Sequence, residues 1–259
     1  MNNPSQNQIS LEKQLAKMQK DLVRLKWYAG SLTLVFVAVF FLAFTDSGIT
    51  RFKEISAERI NIVESNGQLR MVIANKERSP EVLAYGKPLT PPIPGANRPG
   101  LVFYNDEGTE NGGLVFMGGK DSTGKYHATG HLSFDQYNQN QVLYLTYSDE
   151  NGAQKTGLNV DDWQTSPLFW DFRAEYKKAQ KMPDSPKKDS LLKKLMEPTP
   201  GVKAVAQRVF VGKDVNKTAM VTLADRMGKP RLQMLVDSNG TAKLNFLDEH
   251  GKVTYSLPK

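Results

Sequence analysis

The chain has 259 residues, no cysteine and a formal net charge of +7 at pH 7. The lack of cysteine excludes disulfides, thiolate catalysis and thiolate-ligated zinc or iron–sulfur clusters. The positive charge does not indicate nucleic-acid binding, because it is concentrated in two short segments. Residues 1–28 carry five basic against two acidic residues, residues 171–197 carry eight against five, and the rest is nearly neutral.

Residues 1–26 are predicted to form a tail that contains one helix beginning near Ser10. Apolar residues recur there at spacings of four, three, four and three, which is the pattern of a seam between helices. These seam residues are Leu11, Leu15, Met18, Leu22 and Leu25. Two interpretations remain open: an amphipathic helix on the membrane surface whose lysines meet anionic lipid, or a short parallel coiled coil between copies of the chain.

Residues 29–44 contain no charged residue, and we predict a transmembrane helix over residues 27–45 with Trp27 and Tyr28 at the interface. A cleaved signal peptide is disfavoured, because the preceding polar segment is long and LAFTDSG contains no small-x-small cleavage site. We therefore expect a single-pass signal-anchor in the cell (inner) membrane. Five basic residues in 9–28 against three in 45–64 place the N-terminus in the cytoplasm and residues 46–259 in the periplasm or outside the cell.

The remainder of the chain is predicted to be a mainly β outer domain built from hairpins. Short apolar runs alternate with turns in which Asp or Asn precedes Gly by three residues. Asp or Asn can bond the backbone two residues on, and Gly takes the positive φ that ends the turn. The turns are Asn105 to Gly108, Asp121 to Gly124, Asp149 to Gly152, Asp225 to Gly228, Asp237 to Gly240 and Asp248 to Gly251, with Glu64 to Gly67 as a looser copy.

Regularly spaced short strands between these turns predict an antiparallel β-meander, arranged as a sandwich or prism. Two segments interrupt it. Residues 79–100 hold six prolines and are predicted to be a long loop without a strand ladder. Residues 161–201 lose the strand pattern and are predicted to be a helical insertion of two helices, the second capped by Ser185 with Pro186 at its first position.

No catalytic, cofactor-binding or metal-binding site is predicted, and we expect no enzyme activity. The segment GKDSTGK at 119–125 matches the start of a phosphate-binding loop, but Tyr126 stands where Ser or Thr is needed and a strand follows instead of a helix. His127 and His131 are interpreted as surface residues, because positions four apart on a strand are too distant to share a metal ion. The acidic turns lack the further oxygen ligands of a calcium loop.

One aromatic and basic segment is the expected place for an interaction surface. It contains Trp163, Phe169, Trp170 and Phe172, followed by Lys177, Lys178 and Lys181. Aromatic anchors beside basic residues suit docking to a partner, an acidic polymer or lipid headgroups. The alternative, which we favour, is that the aromatics close the open end of the β core and the lysines are solvated.

The chain resembles uncharacterised bacterial single-pass envelope proteins with D-x-x-G β-hairpin repeats. The resemblance is carried by ERINIVESNGQLRMVIANKER, RPGLVFYNDEGTENGGLVFMGG, GHLSFDQY and KPRLQMLVDSNGTAKLNFLDEHGKVTYSLP. It implies a fold style and a compartment and no catalytic residue. We expect a protein that acts by binding or assembly as a homo-oligomer, with membrane lipid, itself and other envelope proteins as partners. The alternatives are an accessory subunit of a secretion or transport complex and, third, an envelope polysaccharide hydrolase.

Overall fold

The computed structural model describes residues 4–43, 50–89, 93 and 96–258. The chain divides into two units, Met1–Ile55 and Ser56–Lys259. The end of the predicted transmembrane helix, Phe44 and Thr45, lies outside the described residues, as do three prolines of the 79–100 loop, at 91, 92 and 94.

In the described residues of the first unit, 4–43 and 50–55, there is one unbroken helix, α1 (Pro4–Ala43). The predicted tail helix and transmembrane helix are thus parts of one element, and the helix begins six residues before Ser10. Its segment Leu11–Leu42 is long and apolar enough to cross a membrane. Within this segment the hydroxyls of Ser31 and Thr33 donate to the helix carbonyls of Trp27 (2.6 Å) and Ala29 (2.9 Å), so these polar groups need no water.

The second unit is mainly β, and its described residues contain two further helices. Its strands are β1 (Arg59–Val63), β2 (Leu69–Ala74), β3 (Leu83–Ala84), β4 (Lys87–Pro88), β5 (Gly100–Tyr104), β6 (Glu110–Lys120), β7 (Tyr126–Asp135), β8 (Gln141–Glu150), β9 (Ala153–Trp163), β10 (Val205–Lys213), β11 (Ala219–Ala224), β12 (Pro230–Val236), β13 (Ala242–Leu247) and β14 (Val253–Leu257). The helices α2 (Phe169–Gln180) and α3 (Pro186–Met196) lie between β9 and β10. All strands except β3 and β4 form one antiparallel sheet whose order follows the chain.

Asx chemistry closes the hairpins of this sheet, as predicted. At Asp237, for example, Oδ1 accepts hydrogen bonds from the backbone N–H groups of Asn239 and Thr241, both at 2.9 Å. The N–H of Gly240 donates to the carbonyl of Asp237, and Gly240 adopts a φ of +83°. The same backbone pattern occurs at Glu64, Asn105, Asp121, Asp225 and Asp248.

The turn at Asp149 differs from the prediction, because the loop contains only Asn151 and Gly152. Both have positive φ, and the flanking residues Glu150 and Ala153 pair directly, as in a two-residue type I′ hairpin. A further turn was not predicted, since Lys217 stands where the other turns have Gly. It adopts a φ of +65°, and Asp214 supplies the Asx bonds.

Both predicted interruptions of the meander are present, but the structure of the first and the start of the second differ from the prediction. The proline-rich loop was predicted to hold no ladder, but β3 pairs with β4 across a turn at Tyr85 and Gly86, which both have positive φ. Pro88 is tolerated there because a two-stranded ladder consists only of edges. The helical insertion begins at Phe169 and not at residue 161, since β9 continues to Trp163.

The second helix of the insertion starts as predicted. Ser185 caps α3 by accepting from the N–H of Lys188 at 3.2 Å, and Pro186 occupies its first position. The predicted sandwich or prism is not confirmed: the twelve strands form one continuous ladder. The buried apolar cluster is small and contains Val72, Ala74 and Tyr104, with Leu83 from the proline-rich loop packed against it.

Candidate functional site

The register of the main sheet places apolar side chains opposite one another on every strand. One row, called the first row, crosses all twelve strands without interruption. It consists of Ile60, Ile73, Leu101, Leu114, Leu132, Leu145, Leu158, Val211, Val221, Met234, Leu244 and Leu257. Since directly paired residues in a sheet share a face, these twelve side chains form one stripe.

A second row runs parallel to the first, two residues away along each strand and therefore on the same face. It consists of Ile62, Met71, Phe103, Gly112, Phe134, Leu143, Val160, Val209, Leu223, Leu232, Phe246 and Tyr255. Neither row contains a charged residue. We call the side of the sheet that carries both rows the apolar face.

The apolar face is open. Met234 is 58% exposed, Phe134 52% and Leu145 48%, and Phe116, which lies on the same face beyond the first row, is 58% exposed. Apolar side chains on a sheet are normally covered by a second layer. Within the described residues of the second unit, no element covers these side chains.

The opposite face, called the polar face, carries hydrogen-bonded polar side chains. The Tyr144 hydroxyl donates to Asp161 at 3.1 Å, Gln207 Nε2 donates to Asn159 Oδ1 at 2.7 Å, and the Ser256 hydroxyl donates to Asn245 Oδ1 at 2.7 Å. Part of this face is covered by the proline-rich loop. The N–H of Tyr85 in that loop donates to the buried hydroxyl of Thr109 at 3.0 Å.

A polar cleft lies between the proline-rich loop, the polar face and the start of α2. Its volume is about 320 Å³. The charged and aromatic side chains in its wall are Arg98, Glu110, Asp135, Phe169 and Trp170. Beside it, and sharing Arg98 and Glu110, lies a small recess of about 50 Å³ lined by His131 and Ser133.

Burial shifts the pKa of three titratable groups in the cleft and the neighbouring recess. Burial, with a contribution from the nearby Glu110 carboxyl, raises the pKa of Asp135 to about 7. Burial also raises the pKa of Glu110, although the Arg98 guanidinium opposes this. The pKa of His131 is lowered by burial and by Arg98. Near neutral pH the Asp135 carboxyl is therefore partly protonated and can donate as well as accept hydrogen bonds.

Several buried polar atoms of residues around the cleft have no hydrogen-bond partner in the described part of the chain. They include Arg98 Nε, Asp135 Oδ1 and Gln139 Oε1. Gln139 is only 3% exposed, and its Nε2 donates to the carbonyls of Gln164 (2.8 Å) and Pro167 (2.9 Å). Because those two acceptors fix the orientation of the amide, Oε1 must face away from them.

The predicted aromatic segment forms a packed cluster. Trp163 contacts Phe169 and Phe172 edge to face, with ring centroids 5.5 and 6.4 Å apart, and its indole N–H donates to the Gln141 carbonyl at 3.0 Å. Phe172 is buried, while Trp170 lines the polar cleft. The basic residues Lys177, Lys178 and Lys181 are exposed. Docking of a partner to this segment stays a prediction.

The seam residues Leu11, Leu15, Met18, Leu22 and Leu25 all lie on α1 and are more than half exposed. The structure contains one copy of the chain, so their pairing with another helix stays a prediction. The segment GKDSTGK lies at the hairpin between β6 and β7, in agreement with its interpretation as a turn. No group of three or more potential metal-ligating residues occurs in the described part of the chain.

The interpretation of His131 as a surface residue was wrong, because the proline-rich loop lies beside it. It is half-buried, lines the recess and stands 5.7 Å from the Tyr144 ring. The sequence analysis also missed Arg98, Glu110, Asp135 and Gln139. They come from separate segments and share no spacing motif, and their burial depends on the coverage of the polar face.

Comparisons with protein families, curated proteins and solved structures gave no match to this chain.

Proposed function

We propose that the chain is a membrane-anchored subunit that assembles with copies of itself through the apolar face of its sheet. The observation that carries the proposal is the pair of apolar rows across all twelve strands, of which only the second is interrupted, at Gly112. We assign α1 the role of membrane anchor from its length and composition. The bias of basic residues toward the N-terminal side supports a cytoplasmic tail and an outer β domain.

The size of the apolar face supports a macromolecular partner. With strands about 4.8 Å apart and about five residues of each strand contributing, twelve strands present roughly 900 Å². The largest apolar patch on a typical monomer is about 300–600 Å², whereas a standard interface covers about 800 Å² on each partner. A second sheet of the same size would therefore cover this face.

Burial energetics favour the covered state. At about 25 cal/mol per Å², covering roughly 900 Å² contributes on the order of 20 kcal/mol per copy before any cost is subtracted. Association costs an estimated 4–15 kcal/mol or more. The gross hydrophobic gain exceeds this cost, so a monomer with its apolar face in water is not the expected resting form.

A second copy is the occupant that the chain itself supports. The two apolar rows contain no charged residue, so no buried ion is left unpaired where the rows of two copies meet. The seam on α1 also favours contact between copies, and association of the helices raises the effective concentration of the sheets. The anchor and the sheet therefore reinforce the same assembly.

Charge placed on either face of β8 tests the proposal. Leu145→Glu places a carboxylate in the first row, and Ser148→Glu places one on the polar face, opposite Lys155. We expect Leu145→Glu to weaken self-association of the detergent-solubilised full chain at least tenfold, measured by analytical ultracentrifugation and crosslinking. Ser148→Glu should leave it unchanged.

Two outcomes contradict the proposal. One is a parent chain that remains monomeric, with only detergent or lipid on its apolar face. The other is purification from native membranes with stoichiometric unrelated proteins and without self-association, which would instead favour an accessory subunit of a larger envelope complex.

A further inference from the structure

We infer that the polar cleft behind the sheet binds a neutral saccharide. This goes beyond the proposed assembly, since the cleft lies on the polar face and uses none of the residues of the two apolar rows. At about 320 Å³ the cleft lies at the lower end of the range for small-molecule sites, about 300–1,000 Å³. It is also large compared with a single water molecule, whose share of liquid volume is about 30 Å³.

The polar side chains in the wall of the cleft offer a ligand both kinds of hydrogen-bonding group. The guanidinium of Arg98 carries donors, and the carboxyl of Asp135 and the amides of Gln139 and Asn140 carry acceptors. A ligand that offers both donors and acceptors satisfies this set, and a hydroxyl group offers both.

The charges in the cleft disfavour ionic ligands. A cation would meet the Arg98 guanidinium, and an anion would meet the Asp135 carboxyl, which ionises as pH rises through about 7. A divalent metal needs several oxygen ligands without a cation beside them, and the described residues contain no group of three ligating side chains. A neutral ligand avoids these conflicts.

The aromatic side chains of the cleft distinguish a saccharide from other neutral polar molecules. Phe169 and Trp170 form part of the same wall as Asp135 and Gln139. Aromatic rings supply a rigid apolar surface, which matches the C–H face of a sugar ring, while the hydroxyls at the ring edge reach the polar groups. The combination of apolar wall and few convergent polar groups is typical of small-molecule sites.

Ligand-observed NMR on the full chain tests this inference. The chain is placed in phosphatidylcholine nanodiscs, because glycoside detergents would themselves present sugars to the cleft. The probes are the neutral disaccharides maltose, cellobiose and chitobiose, with spermidine and glucose 6-phosphate as charged comparisons. We expect at least one neutral disaccharide to bind and both charged probes to bind at least tenfold more weakly.

Two cleft variants and one control locate the binding. Asp135→Leu removes a carboxyl group from the wall of the cleft, and Trp170→Ala removes an aromatic ring from it. Asp161→Leu removes a part-buried carboxylate of the polar face that the Tyr144 hydroxyl contacts outside the cleft. Both cleft variants should weaken disaccharide binding at least tenfold, and the control should not, with thermal unfolding confirming that each variant folds.

The inference is overturned if no neutral disaccharide binds at concentrations of roughly 10 mM, where a Kd in the millimolar range would be detected. Preferential binding of spermidine or glucose 6-phosphate, or disaccharide binding that folded Asp135→Leu and Trp170→Ala variants both retain, also overturns it. Self-association is measured separately in the same samples, so failure of saccharide binding leaves the assembly proposal intact.

Discussion

Ile60 on β1 and Leu257 on β14 are the two ends of the same apolar row, on the two edge strands of the main sheet. Each hairpin between them keeps the apolar residues on one side, including those with a register shift such as β5–β6 and β13–β14. A single slip by one residue would move every following apolar side chain to the polar face. The turns therefore determine on which face of the sheet the apolar side chains lie, in addition to connecting the strands.

Close approach of two strands at Gly157 and Gly212 should make this sheet intolerant of side chains there. A Cβ added to Gly212 would lie 2.1 Å from the Thr156 carbonyl oxygen and 2.6 Å from Gly157 Cα, which are backbone atoms. We expect Gly212→Ala to destabilise the chain by about 3 kcal/mol, since overpacking typically costs about 1–3 kcal/mol and backbone cannot easily move. Thermal unfolding of the detergent-solubilised full chain measures this change.

Gly118→Ala is the matched control for that substitution. The atom nearest to a Cβ added at Gly118 is the His127 carbonyl oxygen, at the ordinary contact distance of 3.7 Å. Its effect should stay within about 0.5 kcal/mol, as for other tolerated surface changes. Equal unfolding temperatures for the two variants would contradict the close approach of the strands.

Local chemistry explains which parts of this fold the sequence predicts. The Asx bonds at Asp237 and the cap at Ser185 involve residues within four positions of each other. The residue types alone therefore predict this turn and this helix start. The apolar rows needed one further step, because the strand register has to be followed from turn to turn. The end of β9 was not predicted, since the helical insertion was expected to begin at residue 161 and β9 continues to Trp163.

The polar cleft is not predictable from the sequence, because only tertiary packing brings its residues together and buries them. Arg98, Glu110 and Asp135 come from the proline-rich loop, β6 and β7, and no spacing relates them. Asp135 lies at the end of a strand where a solvated carboxylate is equally common. Only the packing of the loop and α2 against the polar face turns it into a buried group with an unpaired oxygen.

Two turns have the same backbone geometry but carry different residues at the position of positive φ. Opposite substitutions at these positions therefore test the cost of a side chain in the left-handed region. Gly240 has a φ of +83° and nothing within 4 Å of an added Cβ, whereas Lys217 adopts a φ of +65° in the equivalent position of its turn. Gly240→Ala should destabilise the chain by about 1 kcal/mol, because a side chain disfavours the left-handed region. Lys217→Gly should be neutral or stabilising by less than that, since the unfolded state of Gly has more entropy.

Chemical denaturation followed by circular dichroism provides both values. If Gly240→Ala left the free energy of unfolding unchanged and Lys217→Gly lowered it by about 1 kcal/mol or more, the assignment of positive φ to these positions would be wrong.

Burial of Asp135 should make the chain less stable as pH rises from about 4 to 7. Its pKa of about 7 exceeds the ordinary value of 3.8, so the folded state binds more protons than the unfolded state in this window. The sign of the linkage then gives a falling free energy of unfolding, by up to about 4 kcal/mol at full effect. Glu110 acts in the same direction, and the lowered pKa of His131 acts in the opposite direction.

Asp135→Asn isolates this contribution, because the amide does not titrate. Denaturant unfolding of the full chain between pH 5 and 8 should show a flatter pH dependence for Asp135→Asn than for the parent. Asp237→Asn serves as the control. Backbone hydrogen bonds, first that of Thr241, lower the pKa of Asp237, so its stabilisation is lost only as pH falls below about 4. Equal slopes for the parent and Asp135→Asn would exclude a buried, raised-pKa carboxyl at this position.

The helix α1 should contribute to assembly through its seam, whose residues repeat along one unbroken helix into the apolar segment. The register that begins at Leu11 continues through Ala29, Leu32, Phe36, Val39 and Ala43, so a helical contact in the tail would extend into the membrane. Leu15→Glu combined with Leu22→Glu should weaken self-association at least tenfold, because two carboxylates would enter an apolar seam.

The matched control adds the same charge one position away from the seam. Ala16→Glu combined with Val23→Glu should have little effect on self-association. Both pairs leave residues 27–45 unchanged, so membrane insertion, measured by carbonate extraction, should be equal. Equal self-association of the two double variants would assign α1 to anchoring alone and leave assembly to the apolar face of the sheet.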